Sequence, residues 1–390
     1  MTPPPVRLVH VAAWIRTIGG VETLLSGHAR RDAASGFDAW QIALFDRNPA
    51  EDQTRYATQQ FSWRTTPSAM RRAMQRQLAS CTGAVVLWHN GWGLPWFADF
   101  DGSTRRVVGL QDNVVDFGRW LPQIASLVDG LTCLSHSAAR DVARLLPEFP
   151  AERMTVLPLP IDPPGHLTAE RSPRAEWRIG CAGRMVRPQK RWDRLVPFVQ
   201  ELRELAVPYR IEILSDGPLR PWLERRLGND PRIQFLGWQP PADYWRRIQE
   251  WDAAVFFTDH EGGPIVLLET MAAGVIPFFP RIGGSLGDDL LPELDRRCHY
   301  PAGDPVAAAR AVREIMNLPP PELAGLRRRA VALTEPHQQS GYEATFRDFI
   351  RRIHELPRIS RPPGWHRRTR PADWLPLGFI TRALPSALWR

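Results

Sequence analysis

Residues 260–280 read HEGGPIVLLETMAAGVIPFFP. The run before it, Asp252 to Thr258, has the composition of a buried strand. Gly262-Gly263-Pro264 then makes a turn. Pro264 suits a first helical position, Ile265 to Ala273 a helix, and Gly274 its left-handed stop. VIPFFP follows as the next strand. Strand, turn, helix and strand in that order form one unit of a parallel α/β sheet. The unit places two carboxylates. Glu261 falls in the loop at the carboxyl end of the first strand, and Glu269 falls inside the helix. The helix neighbours Val266, Leu267, Leu268, Met271 and Ala272 are apolar, so Glu269 is a poor candidate for a merely solvated residue. Amides after Gly262 and Gly263 open a helix N-terminus, which cradles an anion or a hydroxyl. A carboxylate accepts two hydrogen bonds from a vicinal diol, as acidic residues do for a nucleotide ribose. The spacing suits an extended ligand with a sugar at one end and a ribose further in.

The same alternation runs along the chain in both directions. VRLVHVAAW (Val6 to Trp14) reads as a strand, and AWQIALF, AVVLWHN, RRVVGLQDN and LTCLSHS continue the pattern. LPLPIDPPGHLTAERSPR (Leu157 to Arg174) interrupts it with five prolines and reads as a linker. The alternation restarts with WRIGCAG and ends with VIPFFP. The expected fold is α/β, with two Rossmann-like doubly wound parallel sheets facing a cleft. The expected divisions are residues 1–164, 165–340, a terminal helix 341–356 crossing back to the first domain, and a tail 357–390.

Composition bounds the alternatives. The 390 residues, 43% hydrophobic and 24% charged, suit two domains with sizeable cores. Four scattered cysteines with no C-x-x-C pair fit a reducing compartment and carry no zinc signature. The N-terminus lacks a secretory pattern, and no apolar run approaches the roughly 20 residues that span a bilayer. A cytoplasmic protein is expected. The net charge of +8 is concentrated in the last 34 residues, which hold seven arginines and one aspartate. That excludes a global nucleic-acid footprint.

Of 50 basic residues only Lys190 is a lysine. It falls in IGCAGRMVRPQKRWDRLVPFVQEL, where a strand ends at Gly183, a loop runs from Arg184 to Lys190 and a helix follows. A planar guanidinium and a compact ammonium at the carboxyl edge of a sheet suit a diphosphate. Gly19-Gly20-Val21-Glu22 opens the first helix and offers further amides to a phosphate or sugar.

Taken together, GGVE (19–22), GRMVRPQK (183–190), SDGP (215–218) and EGGPIVLLE (261–269) resemble the retaining GT-B glycosyltransferases of group 1 (family 4). FLGW (235–238) and GYEATFRDFIRRI match in place, so the resemblance runs to about residue 355. It implies that Arg184 and Lys190 hold a donor diphosphate and that Gly19 and Gly20 line its phosphate side. Glu261 and the amides following Gly262 and Gly263 would touch the transferred sugar, and Glu269 the ribose. It implies a UDP- or GDP-sugar donor and a glycan or lipid-linked acceptor, in envelope polysaccharide or lipopolysaccharide synthesis. Retention implies front-face attack, with the acceptor hydroxyl hydrogen-bonded to the leaving phosphate.

Two positions depart from the pattern. Gln111, in VVGLQDN, stands where the family often has a histidine; it can hydrogen-bond a sugar hydroxyl but not change charge near pH 7. Ser215 replaces a glycine. DFD (Asp99 to Asp101) lacks the preceding strand of a metal-binding pair, so no metal or other cofactor is expected. In the tail, arginines alternate with Trp365, Trp374 and Trp389. A helix from Asp373 would align Leu377, Ile380, Leu384 and Leu388 as an anchor for an anionic inner-membrane surface, or the tail packs back on the first domain. The alternatives to a transferase are a GT-B sugar-nucleotide epimerase and a non-catalytic glycan- or lipid-binding relative.

Overall fold

The structure, a computed structural model, describes residues 5–15, 20–46, 55–97, 104–111, 117–172, 174–359 and 370–383. They cluster into two units, one from 1–134, 139–157 and 343–390, the other from 135–138 and 158–342. The chain leaves the first unit at the head of the proline-rich stretch and returns inside the helix Gln339–Glu355.

Each unit is built on a parallel sheet. The first contains β1 (Val6–Ala12), β2 (Phe37–Ala43), β3 (Tyr56–Thr58), β4 (Val85–His89), β5 (Arg105–Leu110), β6 (Gly130–Cys133) and β7 (Met154–Val156), in spatial order 3-2-1-4-5-6-7. The second contains β8 (Trp177–Ala182), β9 (Tyr209–Leu214), β10 (Ile233–Phe235), β11 (Ala253–Val255), β12 (Ile276–Arg281) and β13 (His299–Pro301), in order 10-9-8-11-12-13. Strands such as Val85–His89 are buried along their whole length, as sheets covered on both faces require. The strand order reverses between β1 and β4 and between β8 and β11. Loops diverge at such a point and leave a crevice beyond the carboxyl ends of the strands.

In the second unit the strand before Glu261 is shorter than the sequence suggests. The ladder stops at Val255 because the next residues turn toward the loop after β8. The amide of Asp259 and the hydroxyl of Thr258 both donate to the Gln189 carbonyl, at 2.9 and 3.1 Å. Pro264 caps the helix Ile265–Ala272 rather than opening it. Gly274, at φ +70°, is its left-handed stop, and a Cβ there would lie 2.7 Å from the Cα of Ala169.

The helix Gln339–Glu355 buries Phe346, Phe349, Ile350 and Ile353, and Phe346 packs on His10 and His28. The tail reading needs a correction. The tail helix is Leu377–Ala383, begun by a separate turn at Pro371–Trp374. Leu377 and Ile380 face the protein and are buried, because the amides of Leu377 and Gly378 bond the carbonyls of Thr65 and Trp63. They are not lipid-facing. Trp374 and Phe379 are 60% and 52% exposed, beside Trp63 at 55%. Leu384, Leu388, Trp365 and Trp389 lie outside the described residues, as do Asp99 to Asp101. Among the described residues no helix is long and apolar enough to cross a membrane. The four cysteines are free and buried.

Candidate active site

β8 and β11 are neighbours, so the loops that follow them emerge side by side at the switch point of the second sheet. That adjacency brings Lys190 and Glu261 into direct contact. The ammonium donates to Glu261 Oε2, with both side chains largely withdrawn from solvent. Around this pair the basic residues are already committed. Asp259 binds Arg191 at 2.6 Å and Arg194 at 2.5 Å, and Asp193 takes the rest of the Arg191 fork. Arg184 differs: it is exposed, and its guanidinium has no carboxylate partner among the described residues. A cation held at the mouth of a crevice without an anion is available to a ligand.

The loop from Arg184 to Lys190 is held at several points. Trp192 Nε1 donates to the Arg184 carbonyl at 2.9 Å, and the Met185 amide to the Asp216 carbonyl at 2.9 Å. Here the SDGP turn has a clear structural part. Gly217 takes φ +151°, and a Cβ on it would stand 2.7 Å from the Met185 carbonyl oxygen. Ser215, the departure from the family pattern, donates its hydroxyl to the Gly183 carbonyl. The turn therefore buttresses the Arg184 loop from below.

Gly262 and Gly263 are buried, and the Gly262 carbonyl accepts from the Leu286 amide at 2.8 Å. Neither has a positive φ. Their lack of a side chain matters for space and not for backbone dihedral. The first turn of Ile265–Ala272 leaves its leading amides without internal acceptors, as helix starts do. About one turn on, Glu269 is half-buried, and the Tyr244 hydroxyl donates to its Oε2 at 2.7 Å. Burial pushes the Glu269 carboxyl up to about 7, with the Tyr244 bond pulling the other way. Burial also holds the Tyr244 hydroxyl well above its ordinary range. Ligand hydroxyls donating to Glu269 would favour its ionised form.

The remaining candidates belong to the first unit. Gly20 begins the helix Gly20–Arg31, and Gly19 lies outside the described residues. Gln111 follows β5, with its amide N–H on Asn90 Oδ1 and its side-chain Nε2 on His89 Nδ1, both at 2.9 Å. Sequence reasoning missed Tyr244, Asp259 and the buried group His10, His28 and Asp32. Tyr244 stands in PADYWRRI, an ordinary surface helix pattern. The buried group had a signal: polar residues inside the otherwise apolar β1 and the first helix.

Residues 176–317 match the family described as glycosyl transferases group 1. Comparison with curated proteins finds no match. Among solved structures the chain is similar to TarM, with 9% identity, 90% of this chain and 99% of that one covered and a TM-score of 0.68. It is similar to the pneumococcal O-GlcNAc transferase GtfA in complex with UDP and GlcNAc, with 10% identity, 90% and 100% covered and a TM-score of 0.69. It is also similar to the lipopolysaccharide outer core galactosyltransferase WaaB, with 16% identity, 88% and 99% covered and a TM-score of 0.68. At these identities the structural likeness fixes the architecture, which is GT-B. The family match lies within the second unit.

Proposed function

We propose that the protein moves a hexose, with retention, from a nucleoside-diphosphate sugar to a glycan or lipid-linked acceptor of the cell envelope. The observation that carries the reading is the Lys190–Glu261 pair at the switch point, with the free guanidinium of Arg184 on the same loop. Lys190 and Arg184 hold the diphosphate and stabilise the charge that develops on it as the glycosidic bond breaks. Glu261 and the amides after Gly262 and Gly263 orient the hexose. Glu269 accepts the ribose hydroxyls. The acceptor hydroxyl attacks from the face the diphosphate leaves, hydrogen-bonded to a phosphate oxygen that takes its proton. Two cationic side chains suffice for the leaving group, so the proposed reaction uses no metal. UDP is favoured over GDP as the donor nucleotide, because GtfA was solved with UDP; the envelope setting draws support from WaaB.

The exposed aromatics Trp63, Trp374 and Phe379, with Arg72 6.0 Å from the Trp374 ring, support a peripheral position on an anionic membrane. The test of the reaction is release of nucleoside diphosphate from UDP- and GDP-hexoses with and without glycan acceptors. Release that requires acceptor supports the transferase. Interconversion of epimers without an acceptor would identify an epimerase, and binding without any turnover would identify a non-catalytic relative.

A further inference from the structure

Lys190 is held through the residues on either side of it, and both holds run to Asp259. On one side, the Gln189 carbonyl accepts from the Asp259 amide at 2.9 Å and from the Thr258 hydroxyl at 3.1 Å. On the other, Arg191 Nη1 donates to Asp259 Oδ2 at 2.6 Å. The second Asp259 oxygen takes Arg194 at 2.5 Å, and Arg194 also donates to the Phe257 carbonyl at 2.8 Å. Asp193, in the single turn Trp192–Arg194, completes the arrangement. Its two oxygens accept from Nε and Nη2 of Arg191 at 3.1 and 3.0 Å. Arg191 directly follows Lys190 and Asp259 stands two residues before Glu261, so this clamp brackets the ammonium–carboxylate pair.

The backbone of Arg191 shows what the clamp does. Its φ is +46° and its ψ +45°, the left-handed conformation. A residue with a Cβ disfavours that conformation by about 5- to 30-fold, so something must hold it there. The side chain does. Three of its N–H groups rest on two carboxylates, one on its own turn and one on the loop after β11. Asp193 and Asp259 hold the guanidinium above its ordinary range. Burial alone would raise both carboxyls, but the arginines outweigh it and hold them below the usual carboxylate range. Charges thus alternate along Asp193, Arg191, Asp259 and Arg194. Both arginines are engaged there and do not compete with Lys190 for an anion. The turn Trp192–Arg194 runs straight into the helix Leu195–Glu204. With that helix and the β11 loop fixed, rotation about the Arg191 N–Cα bond sets the direction in which Lys190 leaves.

We propose that Arg191, Asp193 and Asp259 are positioning residues: the two carboxylates lock Arg191 in its left-handed conformation, and that conformation aims the Lys190 ammonium at Glu261, preorganised for the donor diphosphate. The use of the clamp in the reaction rests on the hexosyltransferase reading; the clamp itself stands without it.

Two measurements test it. Lys190 is the only lysine of the chain, so protein made with 13Cε-lysine gives a 13C–1H spectrum of that one side chain. In ligand-free wild type near pH 7 its two Hε protons should have separate shifts, as in a fixed side chain. Arg191→Ala and Asp259→Asn should merge them into one. Arg191→Gly, which adopts the same φ with nothing to hold it, should keep them apart. A merged signal in wild type, or separate shifts in either Arg191→Ala or Asp259→Asn, would overturn the clamp. Asp259→Asn keeps the amide that bonds Gln189 and the shape of the side chain, so it decides even where Arg191→Ala does not fold. Steady-state rates with UDP- and GDP-hexoses and a glycan acceptor, taken where each variant is fully folded, read the use of the clamp. Both Arg191 variants lose the same ion pairs, so a merely structural role gives them equal kcat. The expected kcat of Arg191→Ala is about 5- to 30-fold below that of Arg191→Gly, the left-handed penalty. Equal values, with the spectra as expected, would overturn the positioning role in the reaction. No turnover of any of these donors by wild type, again with the spectra as expected, would overturn the transferase reading and leave the clamp.

Discussion

Lys190 and Glu261 are 71 residues apart in the chain and joined side chain to side chain. The lysine follows β8 and the glutamate follows β11, and those strands are hydrogen-bonded neighbours although β9 and β10 intervene in sequence. An ammonium engaged by a carboxylate is already oriented toward the place where an anionic ligand would arrive.

Removing that ammonium should be costly. Lys190→Ala is expected to lower kcat/KM by roughly 100- to 1,000-fold, the range for losing one preorganised electrostatic contact. Circular dichroism should be unchanged, since Lys190 belongs to a loop and to no helix or strand. Near wild-type rates in steady-state assays would remove Lys190 from the reaction.

Glu269 ties stability to pH. Its folded-state carboxyl is raised to about 7 from 4.5. The folded state thus holds a proton that the unfolded chain has released, and this contribution is complete below about pH 4.5. It is lost as pH rises to about 7. Glu269→Gln should flatten that part of the curve, with wild type losing up to about 3 kcal/mol relative to the variant between pH 4.5 and 8. Urea midpoints at the two pH values measure it. Affinity for UDP should move oppositely, rising through pH 7 in wild type only, by calorimetry.

Tyr244 buttresses the same carboxylate. Tyr244→Phe removes one neutral hydrogen bond and should cost about 1 kcal/mol of stability. It leaves Glu269 without its internal donor, so UDP affinity is expected to fall less than in Glu269→Gln. An equal or larger loss would place Tyr244 itself on the ligand.

Gly217→Ala tests the buttress under Arg184. A methyl group must avoid the Met185 carbonyl at a φ that other residues rarely adopt. A destabilisation of about 1–3 kcal/mol is expected, by urea denaturation. A raised KM for the donor should accompany it, because Met185 adjoins Arg184.

The tail offers a paired test. Trp374→Ala with Phe379→Ala should release the protein from phosphatidylglycerol vesicles in sedimentation and leave its melting temperature unchanged. Leu377→Ala should do the reverse, lowering stability by about 2–5 kcal/mol as a buried leucine does.

The sequence by itself determined what local chemistry determines. Apolar runs of strand length, glycine stops and a helix bounded by Pro264 and Gly274 prescribe the parallel α/β units, because each depends on backbone preference and periodicity within a few residues. The short motifs marked Arg184, Lys190, Glu261 and Glu269 in the same way. Only the tertiary structure decided which of them meet. Strand order put Lys190 on Glu261, and the packing of PADYWRRI put Tyr244 on Glu269. The return helix and β1 buried three histidines and Asp32 as one hydrogen-bonded group ending at Gln111. Likewise Leu377 and Ile380 have the spacing of a lipid-facing stripe and are buried in the protein instead. Periodicity tells which residues share a face; what covers that face depends on contacts made by residues far away in the chain.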